Sequence, residues 1–193
     1  MEFPDQTIVE LFRRRSARHA DQVAIAAESG DTTFAELDRL SDRLAGALAA
    51  AGIAPGERVA LLAVNGAEFA AAYLGILKAG AVVLPINVLL NPHEIGFVLG
   101  DAGAVALLYH PAVAETVTAL RGKVALRLTA SLGAGEGGDW ARLVGHRHPV
   151  PQPAVDPRRD VAALPYTSGT TGHPKGAMLS HCNLVSNTFS IMQ

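Results

Sequence analysis

Residues 167–175, Thr-Ser-Gly-Thr-Thr-Gly-His-Pro-Lys, place four hydroxyl side chains, two glycines and a lysine in nine consecutive positions. Small hydroxyls donate hydrogen bonds at close range, and glycines let backbone amides approach a ligand. An ammonium on a flexible stem adds a movable positive charge. Together these groups suit the oxygens of a polyphosphate. Gly169 and Gly172 would bring the backbone in, Thr167, Ser168, Thr170 and Thr171 would donate, and Lys175 would offset negative charge, with Pro174 presetting the chain just before it. A plain hairpin connection needs only about two to five residues. The strand-like runs 161–166 and 176–180 are held further apart than that. The chain has only Lys78, Lys123 and Lys175 as lysines, so one closing this loop is not background.

The spacing is not that of a Walker A loop. Counting from Gly169, that pattern's second glycine falls on Pro174, and the residue after Lys175 is Gly176 rather than serine or threonine. The next segment along the chain is apolar and strand-like, so no helix N-terminus is expected behind the phosphates. A loop that is mobile when empty and closes over a nucleotide is expected instead of a preformed cradle.

Other reactive residues read more plainly. His181 and Cys182 are adjacent, and neighbours on a helix do not face one another. Ser180 or His181 is expected to begin a final helix with Cys182 in its first turn. His146 and His148 lie in a proline-rich stretch without further ligands at metal spacing, so no metal site is expected. Arg13, Arg14 and Arg15 fit the solvated face of a first helix.

The elements that must carry the loop are legible. Thr7 with Glu10 and Thr33 with Glu36 match the capping box. After Thr33, Leu37, Leu40, Leu44 and Leu48 recur at helical spacing, while Glu36, Asp38, Arg39, Asp42 and Arg43 are expected to face water. Gly52 supplies a left-handed stop, and Asn91-Pro92 opens another helix. Buried strands are expected at 58–64, 81–86 and 104–109, with a weaker one at 124–129 and a helix over about 66–78. Residues 22–34 read as a small hairpin. Strands alternating with helices predict an α/β fold, a mostly parallel sheet flanked by helices. Three segments are expected: a first α/β subdomain at 1–132, a Gly/Pro-rich connector at 133–159 with a short helical turn near Trp140, and a phosphate-binding hairpin with the start of the next segment at 160–193.

Composition narrows the partners. A net charge of −2 predicts no nucleic-acid face, and the acidic start lacks a signal peptide's pattern. The one cysteine fits a reducing, cytoplasmic setting. The apolar run 73–90 is interrupted by Lys78, Gly80, Pro85 and Asn87, which argues against a transmembrane segment.

The stretch "TSGTTGHPKGAMLSH" resembles the phosphate-binding signature of the adenylate-forming superfamily, which includes acyl-CoA synthetases, nonribosomal adenylation domains and luciferases. "TFAELDRLSDRLAGAL", "PGERVALLAVNGAEFAAAYLGILKAGAVVLPIN" and "NPHEIGFVLGDAGA" are similar in order and spacing to the opening of fatty-acyl-CoA ligases. The resemblance implies the N-terminal part of the large domain of such enzymes. It also implies ATP, Mg2+ and coenzyme A as cofactors, a fatty or other apolar carboxylic acid as substrate, and an acyl-adenylate intermediate. By position, Thr167, Ser168, Gly169, Thr170, Thr171, Gly172 and Lys175 would hold the ATP phosphates. Members of the superfamily are more than twice as long, so no catalytic residue is assigned here and the chain is expected to be inactive alone. Self-association through apolar surface is expected. An amino-acid adenylation domain and a truncated, non-catalytic binding module are the alternatives.

Overall fold

The computed structural model describes residues 5–27, 30–133, 138–167 and 174–191. The chain opens with α1 (Ile8–Arg18), then β1 (Val23–Ile25) and β2 (Thr32–Thr33), which pair antiparallel as the expected hairpin. Next come α2 (Phe34–Ala50), β3 (Arg58–Leu62), α3 (Ala67–Lys78), β4 (Val82–Pro85), α4 (Pro92–Asp101), β5 (Ala104–Tyr109), α5 (Ala114–Thr118) and β6 (Leu128–Ser131). The chain continues through α6 (Asp139–Gly145), β7 (Val161–Ala163), β8 (Tyr166–Thr167), β9 (Lys175–Gly176) and β10 (Leu179–Ser180) to α7 (His181–Ile191).

One six-stranded sheet, in the order β10-β7-β4-β3-β5-β6, organises the molecule. All its pairings are parallel except β10 against β7. Side chains alternate across a strand, so each strand feeds two cores. Val59, Leu61, Val83 and Leu108 pack with Leu44 and Leu48 of α2 and Ile76 of α3. Ala60, Leu62, Leu84 and Leu107 point the other way, toward Ile95, Val98 and Leu99 of α4. The fold is therefore α/β, a mostly parallel sheet with helices on both faces.

The caps behave as their residue types require. Thr7, Thr33 and Asn91 each accept from the N3 backbone, while Glu10, Glu36 and Glu94 reach back to the cap amide. After α2, Gly52 takes φ 78°, and Ile53 N donates back to Leu48 O at 3.0 Å, closing a Schellman motif.

Three expectations shift. The sixth sheet strand lies at Leu128–Ser131 rather than 124–129, because residues 121–123 are still turning after α5. Val124 and Leu126 pack on the α4-side core before the ladder begins. The turn near Trp140 is a seven-residue helix, with Trp140 buried and Leu143 and Val144 beside it against the α2-side core. Arg43 Nη1 donates to Val144 O at 2.7 Å and ties that helix to α2.

The third shift concerns the polar face of α2. Lys78, at the end of α3, is 2% exposed. Its Nζ lies 2.5 Å from Asp38 Oδ1, 2.7 Å from Asp42 Oδ1 and 3.0 Å from Asp38 O, which occupies all three donors. Asp38 and Asp42 sit one turn apart and both reach the ammonium, while staying about a third exposed to water. Gly75 makes that approach possible: a Cβ there would lie 2.9 Å from Leu44 Cβ and 3.0 Å from Ser41 O.

Candidate phosphate-binding site

β8 leaves the six-stranded sheet because Pro165, lacking an N–H, follows β7 and cannot extend the ladder. The run expected at 161–166 is therefore split into β7 and β8. The run expected at 176–180 is split likewise: β9 pairs with β8, and β10 returns to pair with β7. Between these last two, Ala177 N donates to Pro165 O at 2.9 Å. The result is a short stem standing off the end of the main sheet.

On that stem Thr167 faces Lys175, and Tyr166 faces Gly176. Thr167 and Lys175 are both exposed. Among the described residues the Lys175 ammonium has no hydrogen-bond or ion-pair partner. Ser168, Gly169, Thr170, Thr171 and Gly172, together with His173 and the expected mobility of the loop, fall outside the described residues.

Below the stem, the Tyr166 ring packs with Leu164 on the α4-side core. Its hydroxyl donates to Asp101 Oδ2 at the end of α4. Burial first, and then this bond to a carboxylate, push the Tyr166 hydroxyl up to about 12. It therefore remains a protonated donor at neutral pH. Gly176 has no side chain where one would collide: a Cβ would lie 2.9 Å from Tyr166 Cε2 and 3.1 Å from Leu164 Cδ1.

β10 runs directly into α7. Ser180 and Asn183 cap it reciprocally, with Ser180 N to Asn183 Oδ1 at 2.9 Å and Asn183 N to Ser180 Oγ at 3.2 Å. Cys182 lies in the first turn as expected. It is half-buried, and its thiol points at Asp5 Oδ1 at 3.6 Å. His181 is 3% exposed, and its Nδ1 has no partner among the described residues. Burial holds its pKa below 6.5, against the opposing pull of Asp160 and Glu10. It lines a cavity of about 200 Å³ shared with Glu10, Lys78 and Gln152. Among the described residues, no group of three or more His, Cys, Asp or Glu side chains could hold a metal ion. No helix there is long and apolar enough to cross a membrane.

The sequence reading singled out Thr167 and Lys175, which the structure sets opposite one another, but gave no role to Asp101. A single aspartate at a helix end carries no local pattern that points to a tyrosine some sixty residues later, so only the fold could pair them.

The family model for the AMP-binding enzyme matches residues 12–193. The chain belongs to the AMP-binding enzyme family. It is 40% identical over 183 residues to a feruloyl-CoA synthase of Amycolatopsis sp, covering 93% of this chain and 34% of that protein. It is 37% identical over 151 residues to the long-chain-fatty-acid–CoA ligase FadD13 of Mycobacterium tuberculosis, covering 77% of this chain and 29% of that one. The fold matches a long-chain-fatty-acid-CoA ligase structure from Archaeoglobus fulgidus with a TM-score of 0.89 at 24% identity, over 99% of this chain and 40% of that one. The chain spans about a third of the length of the curated CoA ligases and synthases it matches.

Proposed function

We propose that this AMP-binding chain supplies the ATP-phosphate grip of an ATP-dependent carboxylate–CoA ligase that works through an acyl-adenylate. A fatty or other apolar carboxylic acid is the proposed substrate. The observation that carries this reading is Lys175, exposed and without a side-chain partner among the described residues, facing Thr167 on a stem closed by Gly176, within a chain of this family.

In such a reaction a carboxylate attacks the α-phosphorus of ATP, the bond to the bridging oxygen breaks, and pyrophosphate leaves. The coenzyme A thiol then displaces AMP. Negative charge gathers on the departing phosphates in the first step, so donors and a cation placed there favour the transition state over the ground state. Thr167, Ser168, Gly169, Thr170, Thr171, Gly172 and Lys175 are assigned to those phosphates. No residue of this chain is assigned to Mg2+, coenzyme A or the acyl group. The relatives named as CoA ligases support the thiol step, and the long-chain-fatty-acid ligase among them supports an apolar acid.

The test is carboxylate-dependent ATP–pyrophosphate exchange by the complete ligase, run with apolar acids and with amino acids. Exchange with apolar acids that collapses in Lys175→Ala is expected. Exchange driven only by amino acids, or undiminished in that variant, would overturn the reading. The 193-residue chain by itself is expected to give no exchange.

A further inference from the structure

The stem is too small to hold itself. β8 and β9 contribute two residues each and pair only with one another. An isolated two-stranded ladder is marginal in water even at full length. Whatever fixes the direction of Lys175 must therefore come from beneath the stem.

Three features converge there. The Tyr166 ring packs half-buried against the α4-side core with Leu164. Its hydroxyl is tied to Asp101. The ring lies against Gly176, the residue next to Lys175, with no space for a β-carbon between them. Asp101 is also misplaced for its own helix. It is the last residue of α4, where the helix dipole disfavours a negative charge. Helix stability does not account for a carboxylate there, whereas a tyrosine hydroxyl that needs an acceptor does. The hydroxyl is spent on Asp101, so Tyr166 acts through the stem rather than on a ligand.

We propose that Tyr166, held by Asp101 and seated against Gly176, is a positioning residue that sets where Thr167 and Lys175 stand relative to the ATP phosphates. This rests on the assignment of Thr167 and Lys175 to those phosphates. The tie runs from the end of α4 to the stem, so the helix that covers one face of the sheet also places the loop's cation. Removing the hydroxyl leaves the ring in the core but frees it to shift. A β-carbon at position 176 pushes the ring and the lysine apart directly.

The experiment compares Lys175→Ala, Tyr166→Phe, Asp101→Ala, Asp101→Asn and Gly176→Ala in the complete ligase. Its readouts are ATP and carboxylate KM in the exchange assay, calorimetric affinity for a non-hydrolysable ATP analogue, and Tm. Tyr166→Phe and Asp101→Ala are expected to weaken ATP and analogue binding about fivefold each, the scale of one hydrogen bond. The carboxylate KM and Tm should hold nearly constant. Asp101→Asn keeps an acceptor oxygen and should stay close to the parent. The double variant Tyr166→Phe with Asp101→Ala should be no worse than either single change, because both remove one bond. Gly176→Ala should weaken ATP binding more than either.

Unchanged ATP affinity in Tyr166→Phe, while Lys175→Ala is severely impaired, would overturn the positioning role and leave the phosphate reading standing. Equal losses for ATP and carboxylate that track Tm would also overturn it, as a purely structural effect. If Lys175→Ala is itself silent, the phosphate reading falls and the positioning role with it.

Discussion

The chain carries a lysine in each of two contrasting settings. At the end of α3, Lys78 is buried, its three donors taken by Asp38 and Asp42, with the Phe12 ring centroid 5.5 Å from its ammonium. On the β8–β9 stem, Lys175 is exposed and unpaired among the described residues, beside a glycine that keeps the backbone slim. The same ammonium group serves two ends. Where its charge is satisfied within the fold it locks two helices together and has nothing left to offer a ligand. Where it is left unsatisfied on a narrow stem, the fold holds the position and leaves the charge for something else. Burial and pairing set the two lysines apart more sharply than sequence context does.

The widest separation should come from replacing each lysine by alanine. Lys175→Ala in the complete ligase is expected to cost about a hundredfold or more in kcat/KM for adenylation, the scale of one lost transition-state donor, with Tm unchanged. An activity loss accompanied by an equal loss of Tm would erase the contrast. Lys78→Ala should do the reverse. It removes the buried partner of two carboxylates that are 31% and 33% exposed, Asp42 keeping only Arg13 at 3.5 Å, and leaves a void, which should cost about 3 kcal/mol in denaturant unfolding. ATP affinity of the folded protein should stay intact.

A smaller effect isolates the packing that lets Lys78 reach α2. Gly75→Val should destabilise by about 2 kcal/mol, because Leu44 and the Ser41 carbonyl leave no room for its side chain. A neutral result in chemical denaturation would mean α2 and α3 can move apart freely. Thr33→Ala should cost about 1 kcal/mol through loss of the α2 cap, by the same measurement.

The finest effect is one of pH, at the residue between the two regions. His181 follows the stem and shares a cavity with Lys78. Burial lowers its pKa in the folded state, so the unfolded chain binds the proton more readily. Its contribution is therefore fully present above about pH 6.5 and is lost as pH falls toward the lower folded value. Tm should drop from pH 7 to 5, and His181→Gln should flatten part of that slope. An identical slope in the variant would mean that His181 does not drive it.

Much of the architecture was legible. Capping residues announce themselves because they pair with amides three positions away, and Thr7, Thr33 and Asn91 each did so. The central strands β3, β4 and β5 stood where their apolar runs predicted, being buried on both faces. The edges were harder. β6 began later than its apolar run, because Val124 and Leu126 pack half-buried from a turn, and such packing alone does not distinguish a strand from a loop. The stem was foreseen as two strands around a loop, but Pro165 and the crossing at Ala177 divide each strand between two sheets.

At the candidate site, Thr167 and Lys175 were marked by their types, since hydroxyls, glycines and a cation in one short run have few uses besides anions. Their support was not marked. Asp101 and Tyr166 are ordinary residues whose meaning arises only from being brought together.

By itself, then, the amino-acid order settled what is local. It set helix starts and stops, the apolar alternation that makes a sheet with two covered faces, and the concentration of donors between Thr167 and Lys175. Tertiary structure alone decided which charges are consumed and which remain. It folded Asp38 and Asp42 onto Lys78, set Asp101 beneath Tyr166, and left Lys175 outside. Neighbours along the chain are enough to satisfy a helix's first amides, but a side chain's charge is satisfied by whatever the packed elements bring within a few ångströms, and that partner can be any distance away in sequence.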